Sequence, residues 1–508
     1  MIRRIQSATI VGVEGRAIEV EVQVTSSGLP GVVLVGLPDA AIREARDRVR
    51  SAINSSRYSF PPDKVIVNLA PADLRKEGTL YDLPIALGII AASDGYRIPQ
   101  ERLAEFCIVG ELALDGRVRP VRGALSMAIA MARLRGRRRM MLPRANAAEA
   151  AIVEGFSPVA VRTLAEAVGI LSGTIEEPAL PSLPPRPVQA EADIDYADVR
   201  GQAHSKRAML IAAGGGHNVL LYGSPGAGKT MLARRMPTIL PPLSREESLE
   251  VTQIHSVAGI LPPGETLIRR SPFRAPHHTA SYVALFGGGS VPRPGEISLA
   301  HGGVLFLDEM AEFSRRTLET LRQPLEEGEL EITRASGRLR LPARALLVGA
   351  TNPCPCGYRG HATRECRCTP RQVARYVGRL SGPLLDRIDL HVDVPALPLR
   401  ELSEASTGEG SAEMRSMVMD ARERQARRGS GPNGRLPARR MAEVCRLDPT
   451  AEALLHSAAE RFSFSARAYH QILRVARTIA DLAARDAVGA EQIAEAIRYR
   501  GLDEGSRL

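Results

Sequence analysis

The sequence contains no tryptophan, and aromatic residues make up only 4% of it. A protein that grips unstacked bases between aromatic rings needs more of them, so base stacking is not expected to carry any contact with nucleic acid. No apolar run reaches the length of a membrane span, and the opening stretch MIRRIQSATIVGVEG is too polar for a secretory signal. The sequence therefore predicts a cytoplasmic protein with no membrane attachment. Cysteine is scarce, six residues in 508, which argues against a disulfide framework. Acidic residues are outnumbered, 57 against 67 Lys and Arg, for a formal charge of +10. A polyanionic partner would account for that excess, since each neutralised phosphate releases counterions; an arginine-rich coding bias would account for it equally well.

What is present divides the chain into three units, as its length suggests. Residues 1–172 alternate strand and helix signals: a half-buried strand at 17–25, an apolar run at 31–36, a helix opened by Pro38 and Asp39 and running to about Asn54, a buried strand at 65–69 and an apolar helix at 81–92. A Pro-rich linker, 173–192, follows. The second unit, 193–398, carries the phosphate motifs. The third, 399–508, reads as helical, with Met414, Met417, Val418 and Ala421 at helical spacing behind Ser411 as a cap, and further helices at 466–484 and 490–498. Between them the basic segment RRGSGPNGRLPARR, 427–440, is expected to be a mobile loop. No solenoid-length repeat is present.

The apolar strand 218–222 runs into Gly223-Ser224-Pro225-Gly226-Ala227-Gly228-Lys229-Thr230 and then into the helical MLARRM. This is a P-loop in its strand–loop–helix setting. The glycines let backbone N–H groups curl around phosphate oxygens, and the helix N-terminus adds its positive end. Lys229 is expected to reach the β- and γ-phosphates of ATP, and Thr230 to ligate Mg²⁺. A second buried strand, 303–307, ends in Asp308-Glu309, where α/β folds place ligand chemistry. Asp308 is expected to hold the magnesium through water and Glu309 to polarise the attacking water. A third, 345–350, leads to Thr351-Asn352, whose amide could sense the γ-phosphate. Arg387 precedes one further strand, and Arg467 opens a helix; either could also be an ordinary surface arginine at a helix end.

Lys229 and Asp308 lie 79 positions apart, leaving room for an insertion that contains FRAPHHTAS (273–281) and LFGGGSVPRPGEISLAHGG (285–303). Residues 331–333 and 338–341 read as two strands about Ala335-Ser336-Gly337, a β-hairpin presenting Arg334, Arg338 and Arg340. Those arginines could meet a nucleic-acid backbone or only solvent. Cys354, Cys356, Cys366 and Cys368 crowd into one loop, with His361 as a spare ligand. Four thiolates suggest a structural Zn²⁺, although C-x-C is tighter than the usual spacing and free or redox-active thiols remain the alternative. Arg359, Arg364 and Arg367 could face DNA from the same loop. Cys107 and Cys445 read as core residues.

Together these motifs resemble the AAA+ superfamily. The resemblance makes Asn352 sensor 1, Arg387 an arginine finger given to a neighbouring subunit, and Arg467 sensor 2, and it implies a ring oligomer. A helix-2 insert with a pre-sensor-1 hairpin resembles the magnesium-chelatase and MCM clade, and such a hairpin would line the ring's pore. FRAPHHTAS, NPCPCGYRG, CRCTP and LSGPLLDRIDL look like the YifB/ComM family across nearly the whole chain. That family implies an α/β AAA+ core under an all-α C-terminal lid. It also implies a hexameric, ATP-dependent motor on single-stranded, duplex or branched DNA, promoting branch migration in recombination or natural transformation. The N-terminal unit, through GELALDGRVRPVRGALSMAIA and VNLAPADLRKEGTLYDLPIAL, resembles the α+β Lon protease domain, but no Ser lies between Lys76 and Ala91 and RGALSM has no Lys. A nucleophile without its base is not activated, so protease chemistry is expected to be absent. The basic run Arg135, Arg137, Arg138 and Arg139 fits either DNA contact or a solvated turn. A chelatase-type ATPase working on a protein partner, an ATP-dependent protease and an ATP-switched scaffold are the competing readings.

Overall fold

The computed structural model describes residues 2–501 apart from 28, 38, 75, 77, 94, 97, 135–138, 180–193, 263–265, 290–292, 335–336, 362 and 398–408. Pro38, Arg135, Arg137, Arg138, most of the linker, the hairpin tip at Ala335-Ser336 and the junction between 398 and 399 lie outside the described residues, as does the side chain of Arg334.

The N-terminal strands are β1 (Ile2–Val11), β2 (Glu14–Thr25), β3 (Gly31–Val35), β4 (Lys64–Ala70), β5 (Cys107–Ile108), β6 (Glu111–Leu112), β7 (Val118–Arg119), β8 (Arg139–Pro143) and β9 (Ser157–Val161). Seven of them form one mixed sheet in the order β3-β4-β2-β1-β5-β8-β9, while β6 and β7 pair separately. The alternation in β2 turns Ile18, Val20 and Val22 inward, and the apolar helix Asp82–Ala92 packs over them. Lys76 is fully buried, its ammonium held by the Pro71 carbonyl; burial lowers its pKa.

The second sheet is built from β10 (Val219–Tyr222), β11 (Phe273–Arg274), β12 (Val304–Leu307), β15 (Leu346–Thr351) and β16 (Leu390–Asp393), in the order β11-β12-β15-β10-β16 with every pairing parallel. The central strands β10, β12 and β15 are almost continuously apolar and buried because both faces of the sheet are covered there. Between β12 and β15 stands the predicted hairpin, β13 (Glu329–Arg334) and β14 (Gly337–Pro342), in the register Glu331↔Arg340 and Thr333↔Arg338. It buries Leu330 and Leu341 and turns Arg338 and Arg340 outward, 75% and 73% exposed, each 3.7 Å from Glu331.

The C-terminal helices Ser411–Arg427, Pro449–Phe462, Ala466–Leu482 and Ala490–Arg498 share one apolar core with β10 and the helices Ala203–Gly215 and Lys229–Ile239. Two expectations need correction here. Ser411 is not a cap; Gly410 holds that position, and the Ser411 hydroxyl accepts from the Tyr196 N–H at 2.9 Å. Residues 427–440 are not a loose loop. Asn433 is fully buried and donates to Thr478 Oγ1 and Asp481 Oδ2 at 3.1 and 2.8 Å, while Arg428 clasps the same carboxylate. The buried carboxylate requires partners, and a reading of local charge and Gly/Pro content could not supply them.

The N-terminal unit is fastened to the second sheet's periphery. Helix Ala124–Ala132 lies against helix Arg245–Ala258, Ser256 Oγ donates to the buried Glu149 carboxylate at 2.6 Å, and Arg245 pairs with Glu154. The β1–β2 turn meets the hairpin so closely that a Cβ on Gly12 would lie 2.4 Å from Leu339 Cδ1. No helix among the described residues is long and apolar enough to cross a membrane.

His391, inside β16, is 2% exposed; burial and the neighbouring Arg500 push its pKa down to about 3. Burial also lowers His255 and His301. The unfolded chain takes up these protons near pH 6.5 while the folded chain refuses them, so stability is full above that pH and is lost as pH falls below it. The loss from His391 alone approaches about 1.4 kcal/mol per pH unit below about pH 6. Thermal melts between pH 7.5 and 5 are expected to show this decline, and His391→Leu should flatten it.

Candidate nucleotide site

Parallel strands deliver their C-terminal ends to one edge of the sheet, and the predicted phosphate residues gather there. β10 ends at Tyr222, and the chain turns through Gly223–Gly228 into the helix Lys229–Ile239. Gly226 and Gly228 have φ of +79° and +93°, a left-handed backbone that glycine adopts without strain and that points successive N–H groups inward. Lys229 is 8% exposed and lies folded along the loop, donating to the carbonyls of Gly223 and Ser224 at 2.6 and 2.9 Å and to Asn352 Oδ1 at 3.1 Å. Burial lowers its pKa, with Asp308 and Glu309 opposing.

Thr230 Oγ1 donates to Asp308 Oδ2 at 2.9 Å, so a hydroxyl from the helix and a carboxylate from the end of β12 converge on one point. A hard divalent ion prefers such oxygen donors, and the pair fits Mg²⁺. Glu309 follows at φ +49°, with its N–H on Asp308 Oδ1 and its side chain 53% exposed. The sequence reading missed two supports. His278, from the segment after the edge strand β11, places Nδ1 3.3 Å from Glu309 Oε2 and lies tilted against His277, with ring centroids 4.2 Å apart. Gln202 Nε2 donates to the Ala227 carbonyl at 3.3 Å and to the Pro395 carbonyl at 2.7 Å, tying the loop to the end of β16. FRAPHHTAS was an available signal for His278, whereas an isolated glutamine offered none.

The two arginines lie elsewhere. Asn218, at the start of β10, donates to the Arg387 carbonyl at 3.2 Å, so Arg387 sits at the opposite edge of the sheet from the P-loop. Its guanidinium is 2.8 Å from Glu326, and Arg467 reaches the same carboxylate from the start of its helix. Burial raises the Glu326 pKa, but the hydrogen bonds from Arg467 and Arg387 outweigh it and hold the carboxyl below its ordinary value. Arg344, Arg435 and Arg474 line the same cleft. Neither Arg387 nor Arg467 is brought to the phosphate loop of its own chain, and Glu326, their shared partner, was not foreseen.

The four clustered cysteines follow β15 directly. All four Sγ atoms lie within 4.8 Å of one another, and none forms a disulfide. Backbone N–H groups of Tyr358 and Arg367 donate to Cys356 and draw its thiol down to about pKa 6. Cys107 and Cys445 are buried in the cores.

A parallel sheet with this loop, this acidic pair and this helical C-terminal unit defines the magnesium chelatase-like AAA+ class. Family models described as "Magnesium chelatase, subunit ChlI", "Subunit ChlI of Mg-chelatase" and "Magnesium chelatase, subunit ChlI C-terminal" match residues 195–402, 20–146 and 408–500. The chain is 44% identical to a Salmonella typhimurium protein named YifB, over 98% of this chain and 97% of that one. It is 42% identical to the competence protein ComM of Haemophilus influenzae over the same shares. It is 24% identical to the magnesium-chelatase 38 kDa subunit of Rhodobacter capsulatus, over 45% of this chain and 66% of that one. The chain belongs to the YifB/ComM family of magnesium chelatase-like proteins.

Lys229→Ala removes the one donor shared by two loop carbonyls and Asn352. ATP hydrolysis is expected to fall by about 100-fold or more, while the far-UV spectrum and melting temperature stay near those of the parent; turnover assays and a melt on the same preparation check it.

Proposed function

We propose that this chain is an ATP hydrolase that assembles head to tail into a hexameric ring and drives movement on DNA. The observation that carries the reading is the separation of the site into two ends: the cradle at one edge of the parallel sheet, and Arg387 with Arg467 at the other. Neither end suffices alone, and a second copy presenting its arginines to the first copy's cradle would complete both.

In this reading residues 223–230 wrap the phosphates and Lys229 leaves the loop carbonyls for the β- and γ-oxygens. Thr230 and Asp308 would hold magnesium, which when bound neutralises phosphate charge. Glu309 orients and polarises the attacking water, with His278 fixing its carboxylate beforehand. Asn352 reads the γ-phosphate at the tip of β15. Arg387 and Arg467 steady the charge that builds on the phosphoryl group leaving the neighbour's nucleotide.

The work is assigned to DNA on three supports: the +10 charge, the exposed Arg338 and Arg340 of the hairpin, and the competence designation of a relative that spans the chain. The hairpin faces the pore, and branch migration in homologous recombination or natural transformation is the task. Residues 1–172 form a Lon-like platform without the protease dyad, 173–192 a linker, 193–398 the AAA+ unit with its helix-2 insert, and 399–508 the lid; the chain works in the cytoplasm. A second reading, a chelatase-type motor acting on a protein partner, draws on the likeness to the magnesium-chelatase 38 kDa subunit.

The two readings part in one assay. ATP hydrolysis measured alone, with single-stranded DNA, with duplex and with a four-way junction is expected to rise with DNA and to be accompanied by junction migration. Turnover that ignores DNA but answers to a protein partner would favour the chelatase reading. The double variant Arg338→Ala/Arg340→Ala is expected to weaken DNA binding and to reduce the slope of log affinity against log salt by about 2, with DNA-free turnover unchanged.

A further inference from the structure

We propose that Cys354, Cys356, Cys366 and Cys368 bind one zinc ion, and that the knuckle it closes braces the nucleotide cradle. The metal site stands on the cysteines alone; the bracing role rests on the ATP reading above.

The donor geometry is that of a single ion. A tetrahedral zinc with sulfur ligands at about 2.3 Å sets neighbouring sulfurs about 3.8 Å apart. The Sγ separations are 3.4 Å for Cys354–Cys356, 3.6 Å for Cys354–Cys366 and 3.6 Å for Cys356–Cys366, with Cys368 inside the same 4.8 Å cluster. The donors are thiols from two C-x-C pairs brought together across an irregular loop, a soft set that selects zinc over magnesium or calcium. The backbone N–H groups of Tyr358 and Arg367 aimed at Cys356 are the outer contacts that orient a metal-bound sulfur. His361 is not in the set: its Nδ1 accepts the N–H groups of Thr363 and Arg364 at 3.2 and 3.1 Å in a local turn.

The loop has little else to hold it. Among the described residues between Cys354, which is fully buried, and the helix Pro370–Val377, exposed positions outnumber buried ones, and the backbone hydrogen bonds include short-range ones such as Gly357 N–H to Cys354 O and His361 N–H to Tyr358 O. A metal that ties its two ends together would therefore supply the order that an apolar core supplies elsewhere.

The contact with the cradle is at Gly357. This residue has φ +81°, and a Cβ built there would lie 2.6 Å from both Cδ and Cγ of Pro225 and 3.8 Å from Cγ of Asn352. Pro225 is part of the phosphate loop, and Asn352 holds Lys229. The knuckle thus rests on the two residues that frame the cradle, and its backbone approaches so closely that only glycine fits. Closing the knuckle with metal fixes both from behind; releasing the metal frees Pro225 and Asn352 together.

Elemental analysis and nucleotide binding, both on the full chain purified under reducing conditions, test this. One zinc per chain is expected, lost in Cys356→Ser and Cys366→Ser and retained in Cys445→Ser. Stripping the parent protein with a zinc-selective chelator, with magnesium kept in excess, is expected to raise the Kd for a fluorescent ATP analogue about tenfold, and added zinc to restore it. Gly357→Ala should keep its zinc and still bind the analogue about tenfold more weakly. Because the chelation arm uses the parent chain, misfolding of a cysteine variant does not blunt the test. Folded protein without zinc, with its four loop thiols open to a thiol reagent, would overturn the site. Zinc whose removal leaves the analogue's Kd unchanged would overturn the brace. A zinc-loaded chain that binds no nucleotide at all would instead overturn the ATP reading and leave the metal site intact.

Discussion

A parallel sheet has two unlike ends, and that constraint organises this molecule. Every pairing in β11-β12-β15-β10-β16 runs the same way, so residues that follow strands collect at one edge and residues that precede them collect at the other. The phosphate loop, Asp308-Glu309 and Asn352 all follow strands. Arg387 precedes β16, and Glu326 draws Arg467 in beside it. Four residues of β10 lie between the two groups, roughly 13 Å of extended chain. No side-chain rotation within one chain closes that gap, which is why a head-to-tail neighbour enters the proposed mechanism through geometry as well as through resemblance.

The elements attached to the sheet fit that arrangement. The hairpin β13–β14 springs from the chain between Glu309 and β15, so it leaves and re-enters the sheet beside two of the proposed nucleotide-sensing positions. Its far strand meets the β1–β2 turn at Gly12, and the N-terminal unit is anchored on helix Arg245–Ala258 through Ser256 and Glu149. Any shift of the hairpin would therefore be felt by the N-terminal sheet. On the other side, Arg467 stands at the head of a helix whose body is locked by the buried Arg477–Asp481 pair and by Asn433.

Much of this was legible in the sequence, for a physical reason. β10, β12 and β15 each begin one residue later than their apolar runs suggested, because a strand covered on both faces writes itself as continuous hydrophobicity. The loop 223–230 and Asp308-Glu309 were visible because their residue types stand at fixed local spacing after apolar strands, and the structure brings them together at Thr230 and Asp308; their phosphate chemistry belongs to the proposed function. The hairpin was visible through its alternation. What stayed hidden depends on pairing over distance. Glu326 and Arg467 are 141 residues apart, and neither carries a local pattern that names the other. Gln202 holds the P-loop from an unremarkable helix entry, and Gly357 became meaningful only when Pro225 was found against it. The segment 427–440 misled because glycine, proline and arginine look the same in a free loop as in one pinned by a buried aspartate.

The measurement that bears most directly on the two-ended site is subunit complementation. Lys229→Ala chains lack a working cradle but keep Arg387; Arg387→Ala chains keep the cradle but lack the arginine. Each alone is expected to hydrolyse little ATP. Mixed in equal amounts under conditions that permit exchange, they should recover a substantial share of the parent rate, since an intact cradle can meet an intact arginine across a subunit boundary. A mixture as inactive as its components, or Arg387→Ala chains as active as the parent, would contradict the account.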